Sequence, residues 1–74
     1  MTPAEYELEI MAHRYLYYVE CQHVLPDLIY DSLEREARSV CPPESPVHGV
    51  GSCLPDSYSA AQRAHALQKI GGAR

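Results

Sequence analysis

Residues 26–43 read Pro26-Asp27-Leu28-Ile29-Tyr30-Asp31-Ser32-Leu33-Glu34-Arg35-Glu36-Ala37-Arg38-Ser39-Val40-Cys41-Pro42-Pro43. Pro26 and Asp27 suit the first turn of a helix, where an absent N–H costs nothing and the helix dipole favours an acid. Cys41-Pro42-Pro43 stops the helix, since proline removes a donor and clashes with the preceding turn. The stretch therefore predicts a helix from about Asp27 to about Val40. Ile29, Leu33, Ala37 and Val40 line one side at helical spacing and are assigned to the core. Asp27, Tyr30, Asp31 and Glu34 share a neighbouring side.

Upstream, a first helix is predicted from about Pro3 to about Val19. Thr2 is its N-cap, Pro3 its first helical residue, and Glu5 completes a capping box. Glu5, Glu7 and Glu9 place negative charge at the helix start. Leu8, Met11, Ala12, Tyr15, Tyr18 and Val19 recur at helical spacing and mark a buried stripe. Glu20 to Pro26 is a connector, because Leu25 precedes a proline and is disfavoured in the helical region. Downstream, Pro42 to Pro55 is a proline-rich loop carrying Gly49 and Gly51. A short third helix is predicted from about Ser57 to about Ile70, capped by Asp56 or Ser57 and ended by Gly71-Gly72. Its apolar side, Ala60, Ala64, Leu67 and Ile70, packs closely and buries little. The expected fold is all-α: a helical hairpin of two main helices, a proline-rich loop and a short third helix. The expected core is Leu8, Met11, Tyr15, Ile29, Leu33, Ala37 and Val40.

The chain has 74 residues, which allows one domain. A chain of this length buries only about 60% of its unfolded surface, so its stability margin is thin. Ten acidic residues against six basic ones give a net charge of −4, a poor basis for gripping phosphate backbones, so no direct nucleic-acid binding is expected. No apolar run reaches the ~20 residues that span a bilayer, and no membrane association is expected. The N-terminus lacks the basic start and apolar stretch of a signal peptide. Cys21, Cys41 and Cys53 are odd in number and widely spaced, which points to thiols in a reducing cytoplasm rather than a disulfide framework. Neither these cysteines nor His23 and His48 show the paired spacing of structural zinc sites, so no metal site is expected.

The chemistry concentrates where the first two helices meet. Tyr15, Tyr17 and Tyr18 end the first helix, and Asp27, Tyr30 and Asp31 begin the second. A short connector brings these ends together as a pocket edge with aromatic faces and carboxylates. Aromatic faces attract flat cationic rings, and carboxylates accept hydrogen bonds from sugar hydroxyls or an amide NH₂. The set suits a ribosylated, positively charged heterocycle. The plain alternative is that the tyrosines are core or rim and that the acids serve the helix dipole.

Three blocks in order, His13-Arg14-Tyr15-Leu16-Tyr17-Tyr18-Val19, Pro26-Asp27-Leu28-Ile29-Tyr30-Asp31-Ser32-Leu33 and Ser45-Pro46-Val47-His48-Gly49-Val50-Gly51, resemble the N-terminal domain Ia of bacterial NAD-dependent DNA ligases. The resemblance covers roughly Leu8 to Gly51. It implies a small helical cap that binds the nicotinamide mononucleotide half of NAD, with Tyr17, Tyr18, Asp27, Tyr30 and Asp31 as cofactor-binding residues. Tyrosines would contact the nicotinamide ring, and aspartates would take ribose hydroxyls or the carboxamide and favour the ring's positive charge. The sequence departs from that family where Val47-His48-Gly49 replaces the usual Thr-x-x, with a polar or basic residue missing before Val-Gly. Glu20 stands for the usual aspartate. The family's catalytic Lys-x-Asp-Gly motif is absent, since the single lysine, Lys69, precedes Ile70-Gly71-Gly72.

The expectation is thus a single domain, residues 1–74, with a ligase-like part at about 8–51 and an unassigned helix at about 57–70. It is read as a stand-alone NAD- and NMN-binding module of DNA replication or repair, not a ligase on its own. A compact ligase-like fragment also hints at a phage or mobile-element origin. Its alternative is an interaction module that keeps the scaffold without the ligand and docks on a ligase adenylation domain or another protein. An active NAD glycohydrolase has only the paired acids in its favour.

Overall fold

The computed structural model describes residues 1–49 and 51–70. Three helices carry the fold, α1 (Pro3–Tyr18), α2 (Asp27–Val40) and α3 (Ala60–Ile70), with 3₁₀ turns at Pro46–His48 and Pro55–Ser57. No strand occurs among the described residues. The all-α hairpin with its proline-rich loop and short third helix stands as expected.

Helix α1 opens as the sequence dictates. Thr2 Oγ1 accepts from the Glu5 N–H at 3.2 Å, and the Thr2 N–H donates to Glu5 Oε1 at 2.7 Å, so two otherwise unpaired donors are satisfied. The helix then lies between its neighbours, with α2 and the Pro46–His48 turn on one side and α3 on the other. Every residue from Ile10 to Leu16 is consequently buried, including His13 and Arg14. The expected one-sided stripe is therefore too narrow, and Tyr18, assigned to it, is about half exposed.

Two cores result. Met11, Ala12, Tyr15, Leu16, Tyr58 and Ala66 pack together between α1 and α3, flanked by Val19 and Ile70. Ile10, Ala37, Cys41 and Val47 pack between α1, α2 and the loop, flanked by Tyr6, Tyr30 and Leu33. Met11, Tyr15 and Ala37 are core as expected, and Leu8 and Leu33 are half-buried. Ile29 and Val40 are not core, being 54% and 45% exposed. Helix α2 is rotated toward Tyr30, so that Tyr30, Leu33, Ala37 and Cys41 meet α1. Tyr30 fills space with its ring while its hydroxyl keeps a polar partner.

Helix α3 begins three residues later than the sequence suggests. Tyr58 is extended and buried, with its hydroxyl donating to the Ser52 carbonyl at 2.6 Å and accepting the Ser52 N–H at 3.1 Å. That fastening holds the chain out of helix until Ser59, which forms its own capping box with Gln62. The cap is thus Ser59, not Asp56 or Ser57. Ala66 is the buried residue of α3, and Ala60, Ala64 and Leu67 face outward, because the helix is turned to bring His65 and Lys69 onto Glu9 of α1. The expected stop at Gly71-Gly72 lies outside the described residues.

Candidate functional site

Past Tyr18 the chain reverses over the end of α1. Cys21 takes the left-handed conformation (φ 57°), rare for a residue with a Cβ, and the Gln22 N–H reaches back to the Leu16 carbonyl at 2.7 Å. His23 is thereby set edge-on against Tyr17, their ring centroids 4.5 Å apart, and Tyr17 meets Tyr18 edge-on at 4.9 Å. Between this corner, the Tyr30 face of α2 and the loop at Gly49 and Gly51 lies a cleft of about 440 Å³.

Tyr17, Tyr18, Asp27, Tyr30 and Asp31 all line this cleft. Tyr17 and Tyr18 are each about half exposed, so part of each ring is accessible. Asp27 and Asp31 are exposed, and among the described residues neither carboxylate forms a hydrogen bond or ion pair. Tyr15 of the same aromatic set points elsewhere. It packs on Tyr58 at 5.5 Å and its hydroxyl donates to Glu20 at 3.0 Å.

The floor joins Tyr30 and Glu34 of α2 to Arg14, which spacing did not single out. Arg14, only 3% exposed, donates to the Pro46 and Val47 carbonyls, each at 2.9 Å, and to Glu34 Oε2 at 3.0 Å. The Tyr30 hydroxyl donates to the same Glu34 oxygen at 3.0 Å. Burial would raise the Glu34 pKa, but hydrogen bonds from Arg14 and Tyr30 outweigh it and hold the carboxyl below its ordinary value. Tyr30 is pushed up to about 12, chiefly by burial, with Arg14 opposing and the Glu34 charge adding. A phenol so placed stays neutral and holds its ring still at the cleft wall. Glu34 was legible as the next step of the Asp27, Tyr30, Asp31 stripe. Arg14 was not, since its partners lie 20 to 33 residues away.

The loop contributes a close approach. A Cβ on Gly51 would sit 1.9 Å from Cε2 of Tyr18 and 2.4 Å from Cδ2. Glycine is needed for contact here, not for backbone angle, since no described glycine has positive φ. Gly51→Ala is expected to drive the Tyr18 ring off the loop. The Tyr18 aromatic proton shifts should move strongly while those of Tyr6, bonded to Glu36, stay. An unchanged Tyr18 spectrum would mean that the ring does not rest on Gly51.

Among the described residues no group of three or more His, Cys, Asp or Glu is arranged to hold a metal ion. Nor is any helix there long and apolar enough to cross a membrane. Comparison with protein-family models, with curated proteins and with solved structures finds no match.

Proposed function

We propose that the chain is a binding module for the nicotinamide mononucleotide half of NAD, seated in the cleft between α1 and α2. What carries this is the pairing of half-exposed aromatic rings, Tyr17 and Tyr18, with the carboxylates of Asp27 and Asp31, unpartnered among the described residues, in one cavity. A flat pyridinium ring gains from aromatic faces and from nearby negative charge. Ribose hydroxyls and a carboxamide NH₂ are donors that carboxylates accept. The resemblance to ligase domain Ia falls on these same residues and names the same ligand.

On this reading the module does not transfer AMP itself. Lys69 is engaged by Glu9 at 2.8 Å in the α1–α3 contact, away from the cleft. The module lends its pocket to a partner that holds the AMP half, and a DNA ligase adenylation domain is the partner the resemblance implies. A second reading, an interaction module without ligand, draws on Leu28 and Ile29, which expose apolar surface on α2 beside the cleft.

A one-sided site binds weakly. The guide of roughly −0.3 kcal/mol per heavy atom would put a ligand of this size at about ten micromolar in an enclosing site, and a site with one wall falls short of that, so dissociation constants from high micromolar to millimolar are expected. Titration of nicotinamide mononucleotide followed by amide NMR shifts is the test. Saturable shifts should centre on Tyr17, Tyr18, Asp27, Tyr30 and Asp31. Asp31→Ala and Tyr17→Ala, both at exposed positions, should each weaken binding about tenfold. Absence of shifts at millimolar ligand would leave the interaction reading in its place.

A further inference from the structure

We propose that Arg38 recognises an anionic group at the far end of this cleft, so that the site takes a nucleotide in preference to its nucleoside. The inference rests on the nicotinamide-nucleotide reading above and assigns the phosphate to a residue.

Along the wall supplied by α2 the charge changes sign. Asp27, Asp31, Glu34 and Arg38 follow one another at three- and four-residue spacing and all line the cleft. The first and last are separated by about 16 Å of helix. The Asp27 end carries two unpartnered carboxylates. At the other end Glu34 is neutralised by Arg14 and hydrogen-bonded by Tyr30, so the second guanidinium, Arg38, leaves a net positive charge. A ligand with a cationic ring and an anionic tail is oriented one way only, because the aspartates repel the tail and the arginine attracts it.

The two arginines differ in availability. Arg14 is buried with its donors turned to the Pro46 and Val47 carbonyls and to Glu34. Moving it toward a ligand would leave those oxygens unpaired. Arg38 is 48% exposed, and its contact with Glu34 Oε1 is 3.6 Å long, outside good hydrogen-bond range. Its guanidinium keeps a fork of donors that matches a phosphate. Arg35 shares an adjoining depression with Arg38 but does not line the cleft itself, which makes it the internal control.

The experiment is a titration of the full chain with nicotinamide mononucleotide, with nicotinamide riboside and with inorganic phosphate, by NMR at low salt. The nucleotide should bind about tenfold more tightly than the riboside, with added salt narrowing the gap. Phosphate alone should shift the Arg38 side-chain resonances. Arg38→Gln should bring the nucleotide down to the riboside's affinity and leave the riboside unchanged, while Arg35→Gln preserves the gap. Equal affinities in the unmodified chain, or a gap that survives Arg38→Gln, would overturn the role of Arg38 and leave the ring site standing. Failure of both ligands to bind would overturn the site and this inference together.

Discussion

Arg14→Met is expected to destabilise the protein by about 3–5 kcal/mol, the summed cost of leaving two loop carbonyls without a donor and of losing a charge-assisted bond to the part-buried Glu34. A chain of 74 residues has a total stability of about 4–11 kcal/mol, so the variant should be largely unfolded or close to it at ambient temperature. The cause is specific. The guanidinium ties three segments at one point, reaching Glu34 on α2 and the Pro46 and Val47 carbonyls of the loop from its place on α1. Methionine refills much of the volume but leaves the Pro46 and Val47 carbonyls without this donor, and Glu34 with Tyr30 and the longer Arg38 contact alone. Arg14→Lys should fall between, since an ammonium satisfies fewer of the three oxygens with poorer geometry. Glu34→Gln should cost less than Arg14→Met, because the buried cation keeps its two carbonyls and an amide oxygen. Urea unfolding of the three variants checks the order. Arg14→Met with an unchanged midpoint would mean that the guanidinium does not hold the loop to the hairpin.

That prediction marks where sequence stops being informative. The bounds of α2 were readable because Pro26-Asp27 and Cys41-Pro42-Pro43 are local signals, and the start of α1 because Thr2 and Glu5 lie three residues apart. The five cleft residues were readable for the same reason, since a short connector brings the end of α1 beside the start of α2. What was missed is non-local. Burial of Arg14 depends on a loop more than thirty residues away. The start of α3 depends on Tyr58 reaching Ser52 when two other cap-competent residues, Asp56 and Ser57, come first in the chain. Rotation of α2 depends on Tyr30, whose ring and hydroxyl pull a simple apolar wheel in different directions. The outward turn of Ala60, Ala64 and Leu67 depends on Glu9, an acid that belongs to another helix.

Glu9 also sets the response to acid, where stability is expected to fall in two stages. His65 and Lys69 of α3 both bond to this carboxylate, and His13 of α1 lies 3.6 Å from it. His13 is held below the ordinary histidine value, first by burial and then by the Lys69 charge, with Glu9 opposing and His65 adding to the effect. For Glu9, burial would raise the pKa, but the hydrogen bonds from Lys69 and His65 prevail and lower it. In the unfolded chain His13 takes a proton near pH 6.5, while the folded form resists. The unfolded state therefore binds more protons as pH drops through that point, and stability declines. Near pH 4.5 the same sign holds for Glu9, joined by Glu34, and the decline steepens. His13→Gln should flatten the first stage and leave the second. Glu9→Gln should cost about 2 kcal/mol at neutral pH, by removing the ion pair with Lys69 and weakening the hydrogen bond with His65, and should make the second stage shallower. Urea unfolding at about pH 7, 5.5 and 3.5 separates the stages. Constant stability between about pH 7 and 5.5 would place His13 in water rather than in its buried position on α1 beside Tyr30 and Glu9, because a histidine kept neutral by its surroundings makes the fold resist protonation in that window.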